Sequence, residues 1–141
     1  MTPRNIVFVC IENSNRSQMA QAFAAIHGKA IVKAFSAGSR PSGKINPKAI
    51  AAMNELGYDL SNHQSKSLQE IPDVEYEYAV TMGCGDECPM IKARYREDWD
   101  IPDPKTMNEG EVREVRNLIE KKVRALLEKV QATDVSDEAL A

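Results

Sequence analysis

Cys10 and Arg16 bound the segment Cys10-Ile11-Glu12-Asn13-Ser14-Asn15-Arg16-Ser17, a C-x5-R pattern closed by a serine. A thiol near a guanidinium is a nucleophile beside an oxyanion holder. The planar fork of arginine can grip two oxygens of a tetrahedral anion, which lysine cannot imitate. Successive backbone N–H groups in a tight loop form an anion-binding nest, and a helix N-terminus adds partial positive charge. The same field stabilises a thiolate, so Cys10 is expected to be nucleophilic at neutral pH. Glu12, Asn13, Ser14, Asn15, Arg16 and Ser17 make up the candidate oxyanion-binding set. Asn13 can hold the loop's shape through its amide, and Ser17 can donate to the Cys10 sulfur or cap the helix that follows. The bare pattern is weak: Cys88 and Arg94 repeat the spacing. Pro89, which lacks an N–H, follows Cys88 with no clear helix start, whereas Cys10 leaves a hydrophobic run and its loop leads into a helix. A buried, inert Cys10 with Arg16 at the surface is the competing description, and this context disfavours it.

Two more thiols stand in Cys84-Gly-Asp-Glu-Cys88, and Gly83 and Gly85 give the backbone around Cys84 freedom to swing. Three cysteines are too few for a disulfide scaffold and one short of a four-thiolate zinc site. Zinc would have to recruit His27 or His63, and His27 lies in a helical segment, so no metal site is expected. Downstream, Glu97, Asp98, Asp100 and Asp103 crowd the approach to Pro104. A carboxylic acid at a thiol site can protonate a departing oxygen, but residue types alone describe Asp103-Pro104 equally well as an acidic turn.

The elements that must position these groups follow from periodicity. Asn5–Cys10 is a continuous β-branched and aromatic run, expected as a strand buried on both faces. A helix is expected over Ser17–Gly28, with Met19, Phe23 and Ile26 on one face. A second strand follows over Ala30–Ser36. Asn46-Pro47 is an N-cap with proline at the first helical position, opening a helix with Ile50, Met53 and Leu56 that stops at Gly57. Strands are expected over Tyr76–Met82 and within Arg94–Ile101. Glu111–Val130 is a long amphipathic helix with Val112, Val115, Ile119, Val123, Leu126, Leu127 and Val130 on its apolar side. This alternation predicts an α/β fold with an open parallel four-stranded sheet and helices on both faces. Ligands sit beyond the carboxyl ends of such strands, so Cys10, Cys84 and Asp103 would gather at one rim.

The chain has 141 residues, 43% hydrophobic and 28% charged, with a net charge of −3. That size suits one catalytic domain, expected over residues 1–132, with 133–141 as a flexible C-terminal tail. No basic run or aromatic-rich stretch suggests a nucleic-acid partner. No apolar run approaches the length of a membrane span, and Ile6–Ile11 is too short for a signal-peptide core. The cytoplasm is the expected compartment, where cysteines of consequence are catalytic or redox-active.

Four segments carry a resemblance: Val9-Cys10-x-x-Asn13-x-x-Arg16-Ser17, Ser36-Ala37-Gly38, Asn46-Pro47-x-Ala49-Ile50 and Ser61-x-His63-x-Ser65-Lys66. With them the chain resembles the thioredoxin-linked arsenate reductases, which share the fold of the low-molecular-weight protein tyrosine phosphatases. Val80–Pro89 and Trp99-Asp100-x-x-Asp103-Pro104 extend the resemblance over roughly residues 5–130. The resemblance implies that Cys10 attacks arsenate or a phosphate-like oxyanion held by the loop. It implies that Cys84 then attacks Cys10 as arsenite leaves. Cys88 next attacks the Cys10–Cys84 bond, leaving a Cys84–Cys88 disulfide for thioredoxin to reduce. It makes Asp103 the general acid, with Asp100 in reserve. No bound cofactor is implied, and thioredoxin is the external reductant. The best-known members have a longer segment between the last two cysteines. Some members also bind potassium through Asn13, Ser36 and two acidic side chains. Here Gln21 and Ser65 or Lys66 stand at the acidic places, a set poorly suited to K⁺, and Lys66 is expected to supply a fixed positive charge instead. The alternatives are a low-molecular-weight protein tyrosine phosphatase with protective extra thiols and a non-enzymatic arsenite or metal sensor.

Overall fold

The computed structural model describes residues 3–83 and 91–140, the last eight of them as backbone alone. Four strands form one parallel sheet: β1 (Arg4–Cys10), β2 (Val32–Gly38), β3 (Tyr76–Thr81) and β4 (Ala93–Asp98). Their order is β2-β1-β3-β4. The chain steps from β1 to β2 on one side and later places β3 on the other side of β1. This reversal opens a crevice beyond the carboxyl end of β1, where Cys10 stands opposite Gly38.

β1 is central because its side chains are apolar in both directions. Ile6, Val7, Phe8 and Val9 are wholly buried. Each such side chain stabilises the fold by about 1.5–3 kcal/mol relative to an exposed one. Ile6 and Phe8 join the larger core, which draws on α1 (Arg16–His27), α2 (Pro47–Asn54) and α3 (Glu109–Leu140). Val7 and Val9 join a smaller cluster with Tyr76 and Ala79, covered by Leu68, Ile71 and Ile91. Leu68 belongs to the 3-10 turn Leu68–Glu70.

α1 ends where the Gly28 N–H bonds Ala24 O at 2.8 Å. A Cβ on Gly28 would stand 2.7 Å from Leu127 Cδ2, so glycine lets α3 pack against this end. Met19 and Phe23 are buried, whereas Ile26, expected on the same face, is 43% exposed, and Ala20 and Ala24 pack inward beside them. α2 opens as expected, with Asn46 Oδ1 accepting the Lys48 N–H at 2.9 Å. It closes at Asn54 rather than at Gly57, which adopts a φ of 80° in the turn that follows. Leu56 lies in that turn and is exposed.

α3 begins before the expected start. Glu111 N–H donates to Asn108 Oδ1 at 2.9 Å, and Asn108 N–H donates back to Glu111 Oε1, a reciprocal cap. The apolar stripe from Val112 to Val130 is buried. The helical backbone continues to Leu140, through the segment read as a tail. No glycine or proline lies between 111 and 141 to stop it.

Candidate active site

The loop after Cys10 is shaped by its carbonyls. Ile11 O accepts the Arg40 N–H at 2.8 Å, Glu12 O the Ser42 N–H at 3.1 Å, and Ser14 O the Asn46 N–H at 2.9 Å. Asn13 O accepts from Gln18 Nε2 at 3.0 Å. All four carbonyls are thus held from outside the loop. In a trans peptide the next N–H points the opposite way, so the N–H groups of residues 12–15 turn toward the hollow. Asn13 has a φ of 50°, the left-handed conformation that curls successive N–H groups into a nest. Gly38 lets the loop close on β2: a Cβ there would stand 2.6 Å from Ile11 O.

Cys10 is 3% exposed at the end of β1. Its Sγ lies 2.9 Å from Ser17 Oγ, and Ser17 Oγ lies 2.8 Å from Asn13 Nδ2. An amide nitrogen only donates, so Ser17 Oγ accepts from Asn13 and its own hydrogen is free for the sulfur. Ser17 thus serves the thiol and not the helix cap. Asn15 is the N-cap residue and makes no side-chain capping bond.

Arg16 opens α1 and is 7% exposed. Its Nη1 donates to Ile101 O at 3.1 Å, and its Nη2 lies 3.8 Å from Asp103 Oδ2. The Asp103 carboxylate is half exposed and also accepts the Lys105 N–H at 3.0 Å. Cys10, Glu12, Ser14, Asn15, Arg16 and Asp103 line one cleft of about 240 Å³. Gly83 approaches the same guanidinium: its φ is 74°, and a Cβ there would collide with Arg16 Nη1. The residue after Gly83 is Cys84. Cys84 and Cys88 lie outside the described residues. Asp100, the reserve acid, is exposed and does not line the cleft.

Two cationic residues of the cleft, Arg40 and Lys105, had no signal in the sequence. Both reach it through long-range packing. Lys105 Nζ bonds Glu12 Oε1 at 3.0 Å, and that hydrogen bond holds its ammonium above the usual lysine range. Gln18 was also missed. It is fully buried and bonds Asn13 twice, and the detectable trace was an amide next to the Arg16-Ser17 pair.

Lys66 departs from its expected part. It serves Asn13 Oδ1 through its backbone N–H at 2.9 Å, while its ammonium bonds Gln64 O at 3.1 Å. Gln18 Nε2 bonds the same Oδ1 at 2.8 Å. Ser36 Oγ donates to Gln21 Oε1 at 2.5 Å. The potassium set does not fit: the acidic ligands are absent, Asn13 Oδ1 already accepts two N–H groups, and an amide nitrogen occupies its oxygens. Among the described residues no group of three His, Cys, Asp or Glu could hold a metal. His27 Nε2 pairs with Glu120 Oε2 at 2.8 Å, linking α1 to α3.

A thiol at the strand end, an inward-facing amide loop and an arginine opening the next helix are the marks of a cysteine-dependent phosphatase-type site. The sequence profile of the low molecular weight phosphotyrosine protein phosphatases matches residues 5–136, and the chain belongs to that family. Arsenate reductases are among the similar proteins. A glutaredoxin arsenate reductase of Synechocystis is 32% identical over 90% of this chain and 98% of its own length. An arsenate reductase of Staphylococcus aureus is 37% identical over 84% of this chain and 92% of its own. A solved arsenate reductase in a phosphate-binding state superimposes with a TM-score of 0.82 at 32% identity, covering 90% of this chain and 98% of that one. A thioredoxin-dependent arsenate reductase of Corynebacterium glutamicum gives 0.75 at 29% identity, over 93% of this chain and 63% of that one.

Proposed function

We propose that this protein reduces arsenate to arsenite by nucleophilic attack of Cys10, followed by a three-cysteine relay. The loop amides and Arg16 bind the oxyanion and hold arsenic in line with the Cys10 sulfur. Cys10 thiolate forms a sulfur–arsenic bond, and one arsenate oxygen leaves as water with a proton from Asp103. Cys84 thiolate then attacks the Cys10 sulfur. The sulfur–arsenic bond breaks, its electron pair stays on arsenic, and arsenite departs. Cys88 attacks Cys84, freeing Cys10 and leaving a Cys84–Cys88 disulfide. An external dithiol protein of the thioredoxin type reduces it. Residues 1–132 are the proposed catalytic unit and the cytoplasm the proposed compartment, because all three thiols must begin reduced.

The observation that carries this reading is the packing of Gly83 against Arg16, which brings the chain leading to Cys84 to the oxyanion cleft. A phosphatase needs only Cys10 and a water. The test is arsenate-dependent NADPH oxidation with thioredoxin and thioredoxin reductase, run beside p-nitrophenyl phosphate hydrolysis. Turnover that stops in each of Cys10→Ser, Cys84→Ser and Cys88→Ser supports the relay. Phosphate-ester hydrolysis with no arsenate turnover makes the chain a phosphatase, and tight arsenite binding without turnover makes it a sensor. A glutathione–glutaredoxin couple is the second reading for the reductant, suggested by the name of the Synechocystis relative. The same assay with that couple decides between them.

A further inference from the structure

The lining of the oxyanion cleft sorts by depth. Cys10, Ser14, Asn15 and Arg16 are buried and form its floor. Arg40, Asp103 and Lys105 are exposed and Glu12 is half-buried, so these four make its mouth. Among the described residues of the lining, Ile11 is the one aliphatic side chain and no aromatic ring is present.

An ion pair crosses that mouth. Lys105 Nζ donates to Glu12 Oε1 at 3.0 Å, joining segments 93 positions apart in the chain. Both backbones are fixed behind the pair. Glu12 O accepts the Ser42 N–H and the Ser65 hydroxyl. Lys105 N–H donates to Asp103 Oδ1, and Lys105 O accepts from Lys48 Nζ at 3.4 Å. The bridge is therefore made by side chains alone, and it opens by rotation of either one without moving the loop or the Asp103 turn. The Lys105 and Glu12 side chains are 60% and 39% exposed, so water competes for both charges and the bond is weak enough to open.

In-line attack by Cys10 from the floor puts the leaving oxygen opposite the sulfur, at the mouth beside Asp103. On arsenate or phosphate that oxygen carries at most a proton. On a phosphomonoester it carries the organic group, which has to pass between Asp103 and Lys105 on one wall and Glu12 on the other. The closed bond between those walls leaves no gap for an aromatic ring, and the lining offers almost no apolar surface to hold one.

We propose that the Glu12–Lys105 ion pair is a specificity latch, which admits free tetrahedral oxyanions to Cys10 and hinders phosphomonoesters such as a phosphotyrosyl side chain. The inference rests on the oxyanion reading of the same cleft and deepens it by naming the substrate class, the inorganic anion and not its esters.

The test is protection of Cys10 from iodoacetamide at pH 8 in the full chain, read on the Cys10 peptide by mass spectrometry. The protecting ligands are inorganic phosphate and phenylphosphonate. Both are dianions at that pH, and the second carries a ring in the place of the outward oxygen. The readout is the ratio of their dissociation constants, phenylphosphonate over phosphate, in which a change in the charge of the cleft cancels. Wild-type protein binds phosphate the more tightly. The ratio falls about fivefold in Glu12→Ala and in Lys105→Ala, the limit set by the strength of an exposed ion pair. It falls by the same factor in the double variant, because either change opens the same latch. Lys105→Arg, which can still pair with Glu12, keeps the wild-type ratio. Circular dichroism checks that each variant folds. A ratio unchanged in both single variants, or a double variant whose effect is the product of the two, would overturn the latch. If phosphate still protects Cys10 in that case, the latch alone fails. Phosphate that gives wild-type Cys10 no protection would overturn the oxyanion reading of the cleft and the latch with it.

Discussion

Arg16 is held more tightly than a surface cation needs to be. Its guanidinium is 7% exposed, bonded to Ile101 O, faced by Asp103 and packed under Gly83. A side chain so constrained is ready to receive two oxygens without reorganising, and charge that develops there in the transition state meets a fixed dipole field. Lysine keeps the charge and loses the fork. Arg16→Lys is therefore expected to lower kcat/KM for arsenate about 100-fold in a protein that still folds, measured by the coupled NADPH assay. Cys10 and Arg16 were legible in the sequence because the chemistry and the strand–loop–helix context fall within one short segment. Gln18, Arg40 and Lys105 were not, because their roles depend on partners brought close only by the folded chain. Lys66 shows the same limit: its ammonium was the expected actor, and its backbone N–H is what reaches Asn13.

Among elements, the strand β1, its loop and α1 form a unit clasped from two sides. Segment 38–46 binds the loop carbonyls from one side and segment 64–66 holds Asn13 and Glu12 from the other. Gly38 is where the first clasp comes closest. Gly38→Ala would place a methyl group 2.6 Å from a backbone oxygen that cannot swing away. It is expected to cost about 1–3 kcal/mol in urea unfolding and to reduce arsenate turnover, since the loop itself must move. His63 belongs to the second clasp. Its lowered pKa means that the unfolded chain binds a proton where the folded one resists it. Its contribution to stability is full above the ordinary histidine value, about 6.5, and is lost as pH falls through the lowered folded value. The urea midpoint is expected to drop between pH 7 and pH 5, and less steeply in His63→Asn. Strand β1 was readable from its unbroken apolar run, as was the start of α2 from Asn46-Pro47. The end of α3 was not, because helix stops are read from glycine and proline and none occurs after Gly110.

For the whole molecule, the parallel order β2-β1-β3-β4 makes the chemistry possible. It sends the carboxyl ends of β1, β3 and β4 to one rim, so Cys10, Gly83 and Asp103 converge although they are far apart in the chain. The helices α1, α2 and α3 and the sheet bury the apolar surface that holds this arrangement together. Among the described residues no helix is long and apolar enough to cross a membrane. In the proposed relay, oxidation begins at Cys10 and leaves the cleft through Cys84 to Cys88. The relay is tested most directly by mass spectrometry of the cysteine peptides after one equivalent of arsenate is added to fully reduced protein with no reductant present. The relay leaves one arsenite released per chain, a Cys84–Cys88 disulfide and a free Cys10. Arsenite released with Cys84 and Cys88 still reduced, or no oxidation of any cysteine, would contradict it.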